Sequence, residues 1–126
     1  MADQNQKTVM LVEDEKFLSN LLKARLEALG VKVIQVFDGS EAIKLLADLK
    51  PDLILMDIIL PKISGFEIME MINADPTLNS APIVIISNLG QDGDIQKGKA
   101  LGAVEYFIKA KVSIDELVKK IISFLQ

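Results

Sequence analysis

Five short runs of apolar, largely β-branched residues recur along the chain, at Val9 to Val12, Val31 to Val36, Leu53 to Met56, Ile83 to Ile86 and Val104 to Ile108. Each is bounded by polar or turn residues, so each reads as a strand. Most are nearly continuous in apolar character instead of alternating, which is what a strand needs when both faces of its sheet are covered. Helical patterns lie between them. Phe17, Leu18, Leu21, Leu22, Leu26 and Leu29 recur at spacings of three and four, and Gly30 follows as a stop. A second helix is predicted from about Ser40 to Leu49, with Asp38 and Ser40 as capping candidates and Pro51 beyond its end. A third begins near Ser64 and stops before Pro76, a fourth spans Gln91 to Leu101, and the last starts at Ser113, where Ser-Ile-Asp-Glu reads as a capping box.

Strand and helix in strict alternation predict an α/β fold, a doubly wound parallel sheet whose right-handed crossovers put helices on both faces. Ligands of such sheets bind outside the carboxyl ends of the strands, where the strand order reverses. Five polar residues fall on that edge: Glu13 and Asp14 after the first strand, Asp57 after the third, Ser87 after the fourth and Lys109 after the fifth. Taken singly they are unremarkable, since an acid after a strand caps a helix, a serine makes a turn and a lysine is a solvated surface charge.

Together they ask for more. Asp57 interrupts the apolar run Leu53 to Leu60, and a carboxylate there needs a cation or strong hydrogen bonds. Asp14 adds repulsion, which a hard divalent cation relieves, and Mg²⁺ suits one or two carboxylates with waters and a phosphate. Lys109 brings a second positive charge. The Ser87 hydroxyl and backbone N–H groups can donate to phosphoryl oxygens, leaving the Asp57 carboxylate as nucleophile.

Composition narrows the field. The 126-residue chain has no cysteine and no histidine, which excludes disulfides, thiol catalysis, imidazole acid–base chemistry and cysteine- or histidine-ligated metals. With 18 acidic against 14 basic residues and Arg25 as its one arginine, it lacks the cationic patch that direct nucleic-acid binding requires. Met1 to Gln6 is polar and unlike a secretory signal, and the longest apolar run is too short to span a bilayer, so no membrane insertion is expected. No linker or repeat divides the sequence. Residues 1–126 read as a single cytoplasmic domain.

Leu-Val-Glu-Asp-Glu at 11 to 15, Leu-Met-Asp-Ile-Ile-Leu-Pro-Lys-Ile-Ser-Gly at 55 to 65, Ser87, and Tyr106-Phe107-Ile108-Lys109 closely resemble the response-regulator receiver domains of two-component phosphorelays, stand-alone chemotaxis-type regulators included. The resemblance runs through essentially the whole chain, in order. It implies a flavodoxin-like sheet of strand order 2-1-3-4-5 with five helices. Asp57 would be the phospho-acceptor, served by a histidine kinase or histidine phosphotransfer protein. Glu13, Asp14 and Asp57, with the backbone carbonyl of Ile59, would hold Mg²⁺. Lys109 would bridge to the phosphoryl group and Ser87 would move toward it, while Tyr106 would be the aromatic switch, turning into space left by Ser87. A downstream protein, or a second copy in a homodimer, would dock on the fourth helix, fifth strand and fifth helix. Pro61 and Gly65 match the loop after the acceptor, where Gly65 would supply a backbone conformation closed to other residues.

Four departures from the family carry expectations. Ala110 replaces the proline that usually follows the lysine, so the Lys109–Ala110 bond should be trans, because a cis bond before a non-proline costs about 2.5 to 4 kcal/mol. Asn88 follows Ser87 where a small residue is usual, and its bulk should narrow access to the acceptor. Ile59 and Leu89, two residues beyond Asp57 and Ser87, should flank the path of an attacking water and, being apolar, give a long-lived aspartyl phosphate. Gly93 and Gly98, with Gly90 ahead of them, should make the fourth helix the least stable, unless they mark close packing instead.

The leading functional reading is a signalling receiver that catalyses only its own phosphoryl transfer and dephosphorylation. The alternative is a pseudo-receiver, an unphosphorylated interaction or dimerisation module. A third class, an Mg²⁺-dependent phosphatase using an aspartyl phosphate, would want a second acid two residues after Asp57, where Ile59 stands.

Overall fold

The computed structural model describes residues 5–78 and 81–126, so of the polar amino-terminal segment Met1 to Gln4 lies outside the described residues. Strands and helices alternate as the apolar runs predict: β1 (Thr8–Val12), α1 (Lys16–Glu27), β2 (Lys32–Val36), α2 (Gly39–Asp48), β3 (Leu53–Met56), α3 (Gly65–Ala74), β4 (Ile83–Ser87), α4 (Asp92–Ala100), β5 (Ala103–Ile108) and α5 (Ile114–Leu125). The sheet is parallel throughout and ordered β2-β1-β3-β4-β5, the flavodoxin-like order. Its order reverses at β1 and β3, which sets the crevice at their carboxyl ends.

Side chains leave a strand on alternate faces, so each central strand serves two cores. Val9, Leu11, Leu53, Leu55, Val84 and Ile86 pack with Leu22 and Leu26 of α1 and Leu117 and Ile121 of α5. Met10, Val12, Ile54, Met56, Ile83 and Ile85 pack with Ala42 and Leu46 of α2, Ile68 and Met69 of α3, and Tyr106 of β5. This double covering is why the strands read as continuous apolar runs. An ion pair between Arg25 and Asp115 ties α1 to α5 at the surface.

Helix starts follow the capping chemistry. The side chains of Asp38, Ser64 and Ser113 accept from the backbone N–H of Glu41, Glu67 and Glu116 at 2.8, 3.2 and 3.1 Å, each cap contributing about 1 kcal/mol. At α1 the N-cap residue is Glu15, and its side chain makes no capping bond. The fourth helix buries the fewest residues, Gly98 alone. Both readings of its glycines have a place. A Cβ on Gly98 would stand 2.8 Å from Ile85 Cδ1 and 2.9 Å from Tyr106 Cδ2, whereas one on Gly93 would meet nothing within 4 Å. Gly98 is therefore a packing glycine, and Gly93 is not. Among the described residues no helix is long and apolar enough to cross a membrane.

Candidate functional site

Strand register brings the polar residues together. Val12 pairs with Met56 and Met56 with Ile85, so Glu13 and Asp57, each one residue past its strand, emerge side by side. The Asp57 N–H donates to the Val12 carbonyl at 2.9 Å, and the Lys109 N–H to the Ser87 carbonyl at 2.9 Å. Alternation then sorts the side chains. Glu13, Asp57 and Lys109 continue the parity of Leu11, Leu55 and Phe107, which face α1 and α5. Ser87 continues the parity of Ile83 and Ile85, which share the opposite core with Tyr106.

The first group forms an ion cluster. Lys109 Nζ lies 2.7 Å from Asp57 Oδ2, 2.7 Å from Glu13 Oε1 and 2.5 Å from Glu15 Oε2. Asp57 Oδ1 accepts from the backbone N–H groups of Ile58 and Ile59 at 2.6 and 3.2 Å, and Glu13 Oε2 from that of Glu15 at 3.0 Å. Glu13 is fully buried and Asp57 nearly so, at 0 % and 4 % exposure. Burial pushes the Glu13 carboxyl up to about 7, against the opposing pull of Lys109 and the Glu15 N–H. Burial alone would lower the Lys109 ammonium, but its bonds to Asp57, Glu13 and Glu15 outweigh that and hold it above the ordinary lysine value. Carboxylate oxygens of Glu13, Asp14 and Asp57 come within 4.8 Å of one another.

Above the cluster opens a cleft of about 220 Å³ lined by Asp14, Glu15, Asp57, Ile59, Asn88 and Lys109. Asn88 thus borders the approach to Asp57, as its position after Ser87 suggests. Ile59 does too, with 57 % of its surface exposed. Leu89 does not line the cleft: it is half-buried and packs against the core on the α2–α4 side. Of the two residues expected to flank an attacking water, Ile59 lines the cleft and Leu89 does not, while Asn88 lines it beside Ile59.

Ser87 and Tyr106 form the second group. Ser87 is fully buried and its Oγ accepts from the Leu89 N–H at 3.2 Å. The Tyr106 ring is turned inward, 9 % exposed, with its hydroxyl donating to the Leu89 carbonyl at 2.5 Å. Burial, and the nearby Asp94 carboxylate, push its phenol above the ordinary value.

Two local details bear on the sequence expectations. The Lys109–Ala110 bond is trans, as a non-proline residue predicts. Gly65 is a correction in mechanism, because it has an ordinary φ, and among the described residues positive φ occurs at Gly30, Gly102 and Lys62. Gly65 is required for closeness: a Cβ there would overlap the Asp57 carbonyl oxygen and stand 2.8 Å from Ile58 Cα. One participant has no signal in the sequence. Glu15 stands there only as the last residue of Leu-Val-Glu-Asp-Glu, and its pairing with Lys109, 94 residues away, is visible only in three dimensions.

Fold and site together define a flavodoxin-like α/β domain with a lysine-bridged acidic pocket in its crevice. Within that class the chain belongs to the response regulator receiver domain family, whose model matches residues 9–122. It is similar to the polar-differentiation response regulator DivK of Brucella anthropi, 34 % identical over 94 % of this chain and 96 % of that protein. Among solved structures it resembles the phosphorylated cyanobacterial phytochrome response regulator RcpA, 32 % identical with a TM-score of 0.84 over 95 % of this chain and 94 % of that one. It also resembles the receiver domain of the Francisella response regulator 1452, 25 % identical with a TM-score of 0.87 over 95 % and 97 % of the two chains. Receiver domains are signalling modules that work with histidine kinases and downstream targets and generally bind Mg²⁺ at an acidic pocket.

Proposed function

We propose that this chain is a phosphorylation-dependent signalling receiver that takes a phosphoryl group onto Asp57 from a histidine kinase or histidine phosphotransfer protein. One observation carries the reading: Lys109 Nζ stands 2.7 Å from Asp57 Oδ2, at the mouth of a cleft that both residues line. A buried carboxylate held by a cation and two backbone N–H groups, and lining a cleft open to solvent, is oriented and reachable, which is what a nucleophile needs.

The residues fit a hard divalent cation. Every donor is an oxygen, three carboxylates come within 4.8 Å of one another, and the burial that raises the Glu13 carboxyl penalises its charged form, a penalty a bound cation would offset. Glu13, Asp14 and Asp57, with the Ile59 backbone carbonyl, would hold Mg²⁺. When bound, the ion neutralises charge on the transferring phosphoryl oxygens.

In the transfer, an Asp57 carboxylate oxygen forms the new O–P bond. The bond from phosphorus to the donor's leaving atom breaks, and its electron pair departs on that atom, the imidazole nitrogen of a phosphohistidine or the acetate oxygen of acetyl phosphate. Lys109 supplies a fixed positive charge to the phosphoryl oxygens, and Ser87 a hydroxyl that can turn to them. Ser87 and Tyr106 both bond to the Leu89 backbone, so movement of the Ser87 hydroxyl reaches the tyrosine ring and, through Gly98, α4. The mostly exposed α4, with β5 and α5, is the surface whose partner would sense that change, whether a downstream protein or a second copy. A protein target, not nucleic acid, suits a chain with one arginine and a net charge of −4, and a cytoplasmic location completes the reading.

The similarity to RcpA, whose structure is of the phosphorylated protein, supports the same conclusion. Incubation with acetyl phosphate and Mg²⁺ tests it: the intact mass should rise by one phosphoryl group, and the gain should vanish in Asp57→Ala and on chelation of the metal. No gain in the wild type would favour the pseudo-receiver, and rapid multiple turnover a phosphatase.

A further inference from the structure

The Lys109 ammonium has three N–H donors, and three carboxylates surround it at 2.5 to 2.7 Å, those of Glu13, Asp57 and Glu15. A phosphoryl oxygen that approaches Lys109 from the cleft must compete with these three oxyanions, of which Asp57 and Glu15 accept hydrogen bonds from the ammonium. The three are not equally free to give way. The Glu13 side chain is fully buried and its other oxygen is held by the Glu15 N–H, and the Asp57 side chain is 6 % exposed with its other oxygen on two backbone N–H groups. The Glu15 side chain is 58 % exposed, caps no helix, and lines the same cleft as Asp57. Its backbone and side chain have separate tasks: the N–H holds Glu13, and the carboxylate holds Lys109.

We propose that Glu15 is a positioning residue and an internal stand-in for the phosphoryl group. Its carboxylate occupies a Lys109 donor for which a phosphoryl oxygen competes, and phosphorylation of Asp57 displaces it into solvent. No covalent bond to Glu15 forms or breaks, only an ion pair exchanging one oxyanion for another. While the site is unphosphorylated, Glu15 keeps the lysine in the cleft, a task made useful by Ala110, which leaves the loop behind Lys109 without the stiffening of a proline. Release of an exposed ion pair is a modest barrier, so Glu15 slows acceptance of a phosphoryl group by a small factor without preventing it.

The inference rests on Asp57 being the acceptor, and two variants of the full chain separate the two claims. Glu15→Gln removes the charge. Glu15→Asp keeps the charge and withdraws it from Lys109 by one methylene. Both should be phosphorylated by acetyl phosphate with Mg²⁺ about two- to fivefold faster than the wild type. Both should bind beryllofluoride, a phosphoryl mimic, more tightly by a similar factor, with the urea unfolding midpoint unchanged or, for the better-capping Asp, raised. If Glu15→Asp matches the wild type while Glu15→Gln is faster, the general field of the acid repels the donor and the stand-in role is wrong. Equal or slower rates in both variants overturn it as well. No phosphorylation of any variant would instead overturn the reading of Asp57.

Discussion

Gly98 of α4 and Tyr106 of β5 are packed so closely that a single added methyl on the glycine would stand 2.9 Å from the tyrosine Cδ2. The missing side chain makes room for the ring, and the inward ring places its hydroxyl on the carbonyl of Leu89, the residue whose N–H bonds Ser87. Helix, ring and strand end are therefore one mechanical unit, joined by the absence of a methyl group.

Gly98→Ala should therefore destabilise, even though alanine is the better helix former. Overpacking a filled site costs about 1 to 3 kcal/mol and the propensity gain returns about 1, a net loss of up to about 2. Gly93→Ala in the same helix should stabilise by about 0.4 to 1 kcal/mol, since nothing lies within 4 Å of the new atom. Urea unfolding measures both. Tyr106 is the one tyrosine and the chain has no tryptophan, so intrinsic fluorescence should report a changed ring environment in Gly98→Ala only.

Gly65→Ala should damage the acceptor directly. Its new methyl would collide with the Asp57 carbonyl oxygen and the Ile58 Cα, backbone atoms that cannot swing aside, so a loss of about 2 kcal/mol or more in urea unfolding is expected. The phosphorylation rate should fall with it, because the displaced backbone carries the nucleophile. An alanine variant with wild-type stability would show that α3 can retreat freely.

Glu13 makes the site sensitive to pH. Its carboxyl sits at about 7 against an ordinary 4.5, raised chiefly by burial. Between those values the folded chain retains a proton that the unfolded chain has lost, so this residue's contribution to stability falls as pH rises through that window and levels off above about 7. Mg²⁺ must displace the same proton, so its affinity should rise roughly tenfold between about pH 6 and about pH 8. Titration by calorimetry measures it, and Glu13→Gln should bind more weakly with most of the pH dependence gone.

The rim of the cleft assigns different effects to Ile59 and Leu89. Ile59→Asn puts a polar group beside Asp57 and should speed loss of the phosphoryl group by up to about tenfold, what one hydrogen bond to the attacking water can supply. Leu89→Glu should chiefly cost stability, because that side chain packs against the core. A faster decay from Leu89→Glu alone would place its side chain in the water path after all.

Much of this was legible in advance because the sheet is covered on both faces. Continuous apolar runs then mark the strands, and an acid such as Asp57 stands out by breaking one. Boundaries were less legible: Val31 reads as strand but β2 begins at Lys32, and β5 starts one residue earlier than Val104. Gly65 was recognised as necessary for the wrong reason, since a positive φ and a close neighbour exclude a Cβ alike. The direction of Leu89 depends on the turn after β4, and the partner of Glu15 lies at the far end of the chain. Neither leaves a trace in local pattern.

Locating the phosphoryl group is the most direct test of the central claim. After reaction with acetyl phosphate and Mg²⁺, borohydride reduction converts an aspartyl phosphate to homoserine, and peptide mapping finds the position. Conversion at Asp57 alone is predicted. Conversion at Asp14 or another carboxylate with Asp57 intact, or no conversion in a folded wild-type chain, would contradict the account.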